Sequence, residues 1–329
     1  MRSFWPWVPV LAAAHTYLIW RRQLAYLRYF QQEGYEHRRF LRWANVRPLT
    51  DPAFWLALGS GGIEFYRGEF ERAEQSLLLA ERLSAHPEAK EGLSACSQDV
   101  LVRVPCYLSV VHTIRGEHVL AAERRRQAEE TPAGLVVARG VGILFGILLG
   151  ILQREHESSL GLLRLEQRVL ELTRVAQQMR HPLFHAVAEI AGGRAELARG
   201  FRDPGLIRMR RGFELYEETG AQLSLVQYAG VVAEAYLESG RWSAARELLE
   251  RVRPVAAHPY ARFCRPEFLR LEGQLLWAEG RPQEAERLLA LARDSATSGG
   301  AGSAPRLFCQ RIDAALCALA RPRAAGAAC

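Results

Sequence analysis

The chain has 329 residues, 49% hydrophobic and 24% charged, the proportions of a folded protein with a sizeable core and not of a disordered one. Its formal net charge is +7, and Lys90 is the only lysine, so the basic charge is almost all arginine and is spread along the chain. A nucleic-acid binder gathers such charge on one face, so no nucleic-acid partner is expected. Six cysteines, at 96, 106, 264, 309, 317 and 329, form no Cys-x-x-Cys pair. That spacing implies no disulfide framework, no zinc site and a reducing, cytoplasmic setting.

The first 50 residues read as an apolar helical hairpin that caps the fold. Their opening stretch, FWPWVPVLAAAHTYLIWRR (4–22), has a second reading as a membrane anchor, with Trp5, Trp7, Tyr17 and Trp20 as interfacial aromatics and Arg21, Arg22 and Arg28 behind them. Its apolar run is only 17 residues and contains Pro6, Pro9 and His15, so a buried first helix is preferred and membrane contact is kept as the alternative.

From residue 51 a self-similar element sets in. YRGEFERAEQSLLLAERL (66–83), ESGRWSAARELLERV (238–252) and AEGRPQEAERLLALA (278–292) each carry a glycine, an alanine five residues later and an apolar helical stripe. Weaker copies surround Gly116 and Gly200, and QREHESS (153–159) supplies a turn without glycine, so the turns recur at roughly 40 to 48 residues. Glycine ends the first helix in a left-handed conformation, and the small alanine lets the second helix approach. A hairpin of this kind cannot cover its own apolar face, so hairpins stack. No convincing stretch alternates with period two. The expected fold is all-α, a right-handed superhelix of about seven stacked helical hairpins over residues 51–321, with a disordered tail at 322–329.

Within that frame, GVGILFGILLGIL (140–152) is an apolar run of 13 residues with Gly142, Gly146 and Gly150 at four-residue spacing. It reads as a buried helix closely approached by its neighbours and not as a membrane span. His-Pro pairs at 86–87, 181–182 and 258–259 read as helix starts. The runs Arg124-Arg125-Arg126 and Arg208-Met209-Arg210-Arg211 read as solvated helix faces. SATSGGAGSAP (295–305) reads as a flexible link before a last helix carrying Cys309 and Cys317 on one face.

With these units in view, the chain resembles tetratricopeptide-type solenoids. More narrowly, it resembles the C-terminal helical-repeat region of large bacterial signalling ATPases, adenylate cyclases and transcriptional regulators. The stretches that carry the likeness are RPEFLRLEGQLLWAEGRPQEAERLLALARDSA (265–296), 181–249 and DPAFWLALGSGGIEFYRGEFERAEQSLLLAE (51–81). The resemblance implies a binding role and no catalysis, with the repeat region standing alone. No phosphate-binding Gly-x-x-x-x-Gly-Lys loop is present, and no serine elbow or cysteine signature marks a nucleophile. His181, His185 and Glu189 share a helical face, but His181 precedes a helix-starting proline and capping explains it, so no metal and no cofactor are assigned.

The surface singled out is the inner wall, built in such arrays from the first helix of each pair. Counting back from the turns gives Trp55, Phe65 and Tyr66, then Arg103, then Arg194, then Gln227 and Glu234, and finally Arg270, Gln274 and Trp277. Aromatics mixed with arginine and amides suit recognition of a peptide or protein segment. The expectation is a non-catalytic scaffold that binds a protein partner on its concave face, in regulation or assembly. The alternatives are a small-molecule-sensing module and a membrane-tethered assembly factor.

Overall fold

A computed structural model describes residues 52–85, 102–130, 136–222, 224–297 and 306–320. Among them are thirteen α-helices and no strand: α1 (Pro52–Tyr66), α2 (Phe70–Ser84), α3 (Arg103–Arg115), α4 (His118–Glu129), α5 (Val136–Leu152), α6 (Ser159–Met179), α7 (Pro182–Ala198), α8 (Arg202–Glu218), α9 (Leu225–Glu238), α10 (Trp242–Ala256), α11 (Arg265–Ala278), α12 (Pro282–Thr297) and α13 (Arg306–Ala320). Six consecutive pairs, α1/α2 to α11/α12, pack as hairpins, and α13 closes on α11 and α12. The expected terminal hairpin (1–50), the tail (322–329), His86-Pro87, Cys96 and Cys329 lie outside the described residues.

The turns are where the repeat places them. Gly68, Gly116, Gly200, Gly240 and Gly280 all have positive φ, and Arg154 (φ 56°) takes the same left-handed conformation in the glycine-less turn. Five residues after each glycine stands a small buried residue: Ala73, Ala121, Gly205, Ala245 and Ala285. Seven residues before it stands another: Gly61, Ser109, Gly193, Ala233 and Gly273. In three hairpins the contact between the two is direct. A methyl group added at Gly61 or Gly273 would lie 3.3 Å from the carbonyl oxygen of Ala73 or Ala285, and one at Gly193 would lie 2.5 Å from that of Gly205. These three hairpins are therefore pinned where two small residues let the helix backbones meet.

α5 is the buried helix expected at 140–152. Its Gly142 faces the Ala128 carbonyl and its Gly146 faces Glu129 and Arg168, so small size here admits α4 and α6. No helix among the described residues is long and apolar enough to cross a membrane. His181-Pro182 does start a helix, with His181 Nδ1 accepting from the Phe184 N–H (3.4 Å). His258-Pro259 instead opens a 3-10 turn (Pro259–Cys264), and α11 begins only at Arg265. The stretch anticipated as a link at 295–305 is helical through Thr297, where α12 ends, and its remainder lies outside the described residues. The arginine runs are largely tied to carboxylates: Arg124 to Glu81, Arg125 to Glu155, Arg126 to Glu130, Arg208 to Glu189 and Glu196.

The superhelix curls until its first described hairpin meets the turn that precedes the last one. α1 packs on the 259–264 turn, where Phe263 lies 5.1 Å from Phe65 and 5.2 Å from Tyr66 between ring centres. α3 packs on α13, and the Arg306 side chain lies against Gly116. The hairpin core and this seam form one continuous apolar cluster.

The tightest crossing gives a direct test. Gly193→Ala drives a methyl into the Gly205 carbonyl and Met209, and it should lower unfolding stability by about 1–3 kcal/mol in urea titrations, the usual cost of overpacking a core. An unchanged midpoint would contradict the backbone-contact account.

Candidate functional site

Two features occupy the inside of the curled chain: a buried charge cluster and an open aromatic cleft. The cluster joins α9, α11, α13 and the glycine-less turn. Arg311 Nη2 donates to Glu234 Oε1 (2.6 Å) and Glu267 Oε1 (2.7 Å). Arg270 Nη2 donates to the same two oxygens (2.8 and 2.5 Å), and its Nε reaches Glu267 Oε2 (2.9 Å). Two cations and two carboxylates thus alternate around a square. Gln274 accepts from Arg270 Nη1 (2.6 Å), and the Leu152 carbonyl accepts from Arg311 Nη1 (3.2 Å). Arg154 adds a bond to Glu234 (3.4 Å), while Arg194 pairs with Glu238 and donates through Nε to His156 Nε2 (2.9 Å).

At the centre of the cluster the side chains are deeply buried: Arg270 is 3% exposed and Arg194 6%, while Arg154 and Glu238 lie at its open edge. Taking so many charges out of water is expensive, and only their mutual attraction and hydrogen bonds offset it. Burial alone would raise the Glu234 pKa, but Arg270, Arg311, Arg154 and Arg194 outweigh it and hold the carboxyl at about 2. Glu267 is likewise held below the ordinary range, against its own burial, by Arg270 and Arg311. His156 is held neutral, its pKa lowered to about 4 by burial and then by Arg194.

The cleft lies beside this cluster and has a volume of about 380 Å³. One set of rings comes from α1, α3 and α5: Phe65 and Tyr107 are 5.2 Å apart, Tyr66 and Tyr107 6.1 Å, Tyr107 and Phe145 5.4 Å. Another comes from α7, α8 and α9, with His181 stacked on Phe184 at 4.0 Å and Tyr216 against Tyr228 at 5.0 Å. Val141, Leu144 and Leu148 add aliphatic surface, and Arg103, Glu218, Thr219, Ser224 and Gln227 add polar groups. Gln227 also lines a small void of about 20 Å³ beside Arg311, Glu234 and Glu267, so it stands between cleft and cluster.

The inner positions read from the sequence therefore divide. Phe65, Tyr66, Arg103 and Gln227 line the cleft. Arg194, Glu234, Arg270 and Gln274 are instead taken up by the charge cluster, so they hold the fold closed and present no open groove. Trp277 is half-buried against the apolar core. Trp55 falls in α1, and its side chain lies outside the described residues. The physical reason for the division is α13: Arg311 inserts across the inner wall and fills its C-terminal half with ion pairs.

Counting back from glycines missed Tyr107, four residues after Arg103, and Phe145, because no inward position was assigned to α5. Arg154 and His156 sit in the one turn that has no glycine. Arg311, a lone cation on the apolar stripe of α13, was the available signal for the cluster. The face shared by His181, His185 and Glu189 holds no metal-ligand constellation. Among the described residues only Glu74, His112 and Glu117 bring three such atoms within 4.8 Å, and Arg115 already pairs with both carboxylates.

No protein-family model and no curated protein matches the chain. Its structure is similar to the crystal structure of a Rap protein complexed with Competence and Sporulation Factor, with a TM-score of 0.52 and 16% sequence identity over 86% of this chain and 80% of that one. The likeness establishes the fold: this chain is a tetratricopeptide-like all-α helical-repeat protein.

Acid should loosen the cluster in two steps. His156 has a folded pKa of about 4 against 6.5 when unfolded, so the unfolded chain binds the extra proton first and stability falls as pH drops through that window. Glu234, at about 2 against 4.5, adds a second loss between those values. Denaturant titrations from pH 7 to 3 should show both, and His156→Gln, which keeps an acceptor for Arg194, should flatten the upper limb. A wild-type stability that is level from pH 6.5 to 4 would contradict the assignment.

Proposed function

We propose that the chain is a non-catalytic helical-repeat scaffold that binds a peptide, or an exposed segment of a protein partner, in the aromatic cleft, and that it serves regulation. The observation that carries this reading is the cleft itself. Its volume is in the range of ligand sites, its walls are aromatic and aliphatic, and a few polar groups from α3, α8, α9 and the residues flanking α8 and α9 converge on it. Side chains of this kind dominate recognition energy, because they offer large rigid contact at low entropic cost. The helical-repeat likeness to a Rap protein solved with a bound factor supports the reading, and so does the resemblance to repeat regions of signalling proteins.

A small-molecule sensor is the second reading, favoured by the modest volume of the cleft. The membrane-tethered reading rests on residues 4–22, outside the described residues.

Selection of phage-displayed random peptides on the full chain tests the proposal. Selected peptides should lose about tenfold or more in affinity for a Leu144→Ala/Phe145→Ala variant that unfolds within a few degrees of wild type, as expected when aromatic anchor contacts are removed. Peptides that bind the variant equally well, or no selected peptide at all, would contradict it and turn attention to small molecules.

A further inference from the structure

The seam that closes the curled chain holds a second cavity, of about 500 Å³, which shares no lining residue with the aromatic cleft. One wall is the turn between α1 and α2, from Arg67 to Phe70. The other is Arg262 and Phe263 of the 259–264 turn with Arg265 and Pro266, which open α11. The last turn of α12 and Phe308 of α13 complete the lining. The two walls are in contact, since a methyl added at Gly68 would lie 3.6 Å from the Arg262 carbonyl carbon.

Charge sets this lining apart. Most arginines that line the interior are matched by carboxylates. Here Arg67, Arg262 and Arg265 stand against one carboxylate, Glu69. Glu69 pairs with Arg67 (3.2 Å) and is shared with Arg72 (3.1 Å), which is not part of the lining. Arg262 and Arg265 are exposed, and their side chains make no ion pair or hydrogen bond among the described residues. Residues 298–305, which follow α12 in the chain, include no charged residue that could neutralise them. A concave surface lined by one sign of charge concentrates ions of the other. Guanidinium groups match the planar and tetrahedral oxyanions best, through paired N–H donors. The excess over Glu69 is two positive charges, which one carboxylate would half neutralise. A phosphate monoester, with about −1.5 to −2 charge at neutral pH, would balance it.

We propose that the seam cavity binds a small phosphate monoester, its phosphate held by Arg262 and Arg265 on one wall and Arg67 on the other. The site is separate from the aromatic cleft. Because its walls belong to segments that meet only when the chain is curled, a ligand touching both binds the closed form better and stabilises it.

The probe is phenyl phosphate, compared with benzoate, which carries the same ring on a single negative charge. In ligand-observed NMR titrations of the full chain, phenyl phosphate should bind at least about tenfold more tightly than benzoate. Arg262→Gln/Arg265→Gln should weaken it by about tenfold or more. Arg164→Gln/Arg174→Gln removes two exposed cations of α6 that are likewise unpaired among the described residues, and it should leave binding within about twofold. Bound phenyl phosphate should also slow hydrogen exchange at 66–70 and at 259–265 together. Absence of binding, or equal weakening in both double variants, would overturn the site. Benzoate binding as tightly as phenyl phosphate would overturn the choice of phosphate, and unchanged exchange on either wall would overturn the clamp.

Discussion

The constraint on which the architecture depends is the square of alternating charge formed by Arg270, Arg311, Glu234 and Glu267. Stacked hairpins contact only their neighbours, so an ordinary repeat array remains open at its ends. Here α13 sends Arg311 across the inner wall to α9, to α11 and to the last carbonyl of α5. Those contacts bring together segments as far apart in sequence as Leu152 and Arg311. Because the four groups are largely buried and paired with one another, losing one would strand an opposite charge, which makes the closure strongly dependent on every member. The same closure divides the interior. The C-terminal half of the inner wall is filled with ion pairs, and the aromatic cleft opens beside them.

Much of the fold is legible in the sequence because it is set by local rules. Each turn glycine carries a small residue five positions after it and another seven positions before it. Those three positions are enough to place a hairpin and its crossing point. The crossing at Gly193 and Gly205, where both small residues are glycine, is the closest of the three direct contacts. The His-Pro pairs show the limit of the same logic. Proline starts a helical turn at both described sites, but whether the turn continues depends on packing: at Pro259 the following residues are drawn into the seam against Phe65 and Tyr66.

The candidate site is legible only in part, because it is made between repeats. Periodicity assigns Arg194, Glu234 and Arg270 to inner positions, and all three take part in the charge cluster. It does not say what they meet there. That depends on the curvature accumulated over six hairpins and on α13, which belongs to no pair. The same limit applies to the cleft. Phe65 and Gln227 are 162 positions apart, and no local pattern indicates that they line one cavity. Its aromatic lining comes from α1, α3, α5, α7, α8 and α9, each contributing residues that look like core when read alone.

Hydrogen exchange measured by mass spectrometry on the full chain, wild type against Arg311→Gln, tests the central claim most directly. The account predicts that the amides of α13 are protected in the wild type to the level of α9 and α11. In the variant, protection should fall together in α13, in the 259–264 turn and at the C-terminal end of α1, while the α7/α8 hairpin is unchanged. If α13 exchanges freely in the wild type, or if the seam keeps its protection without Arg311, the buried charge square does not hold the curled chain closed.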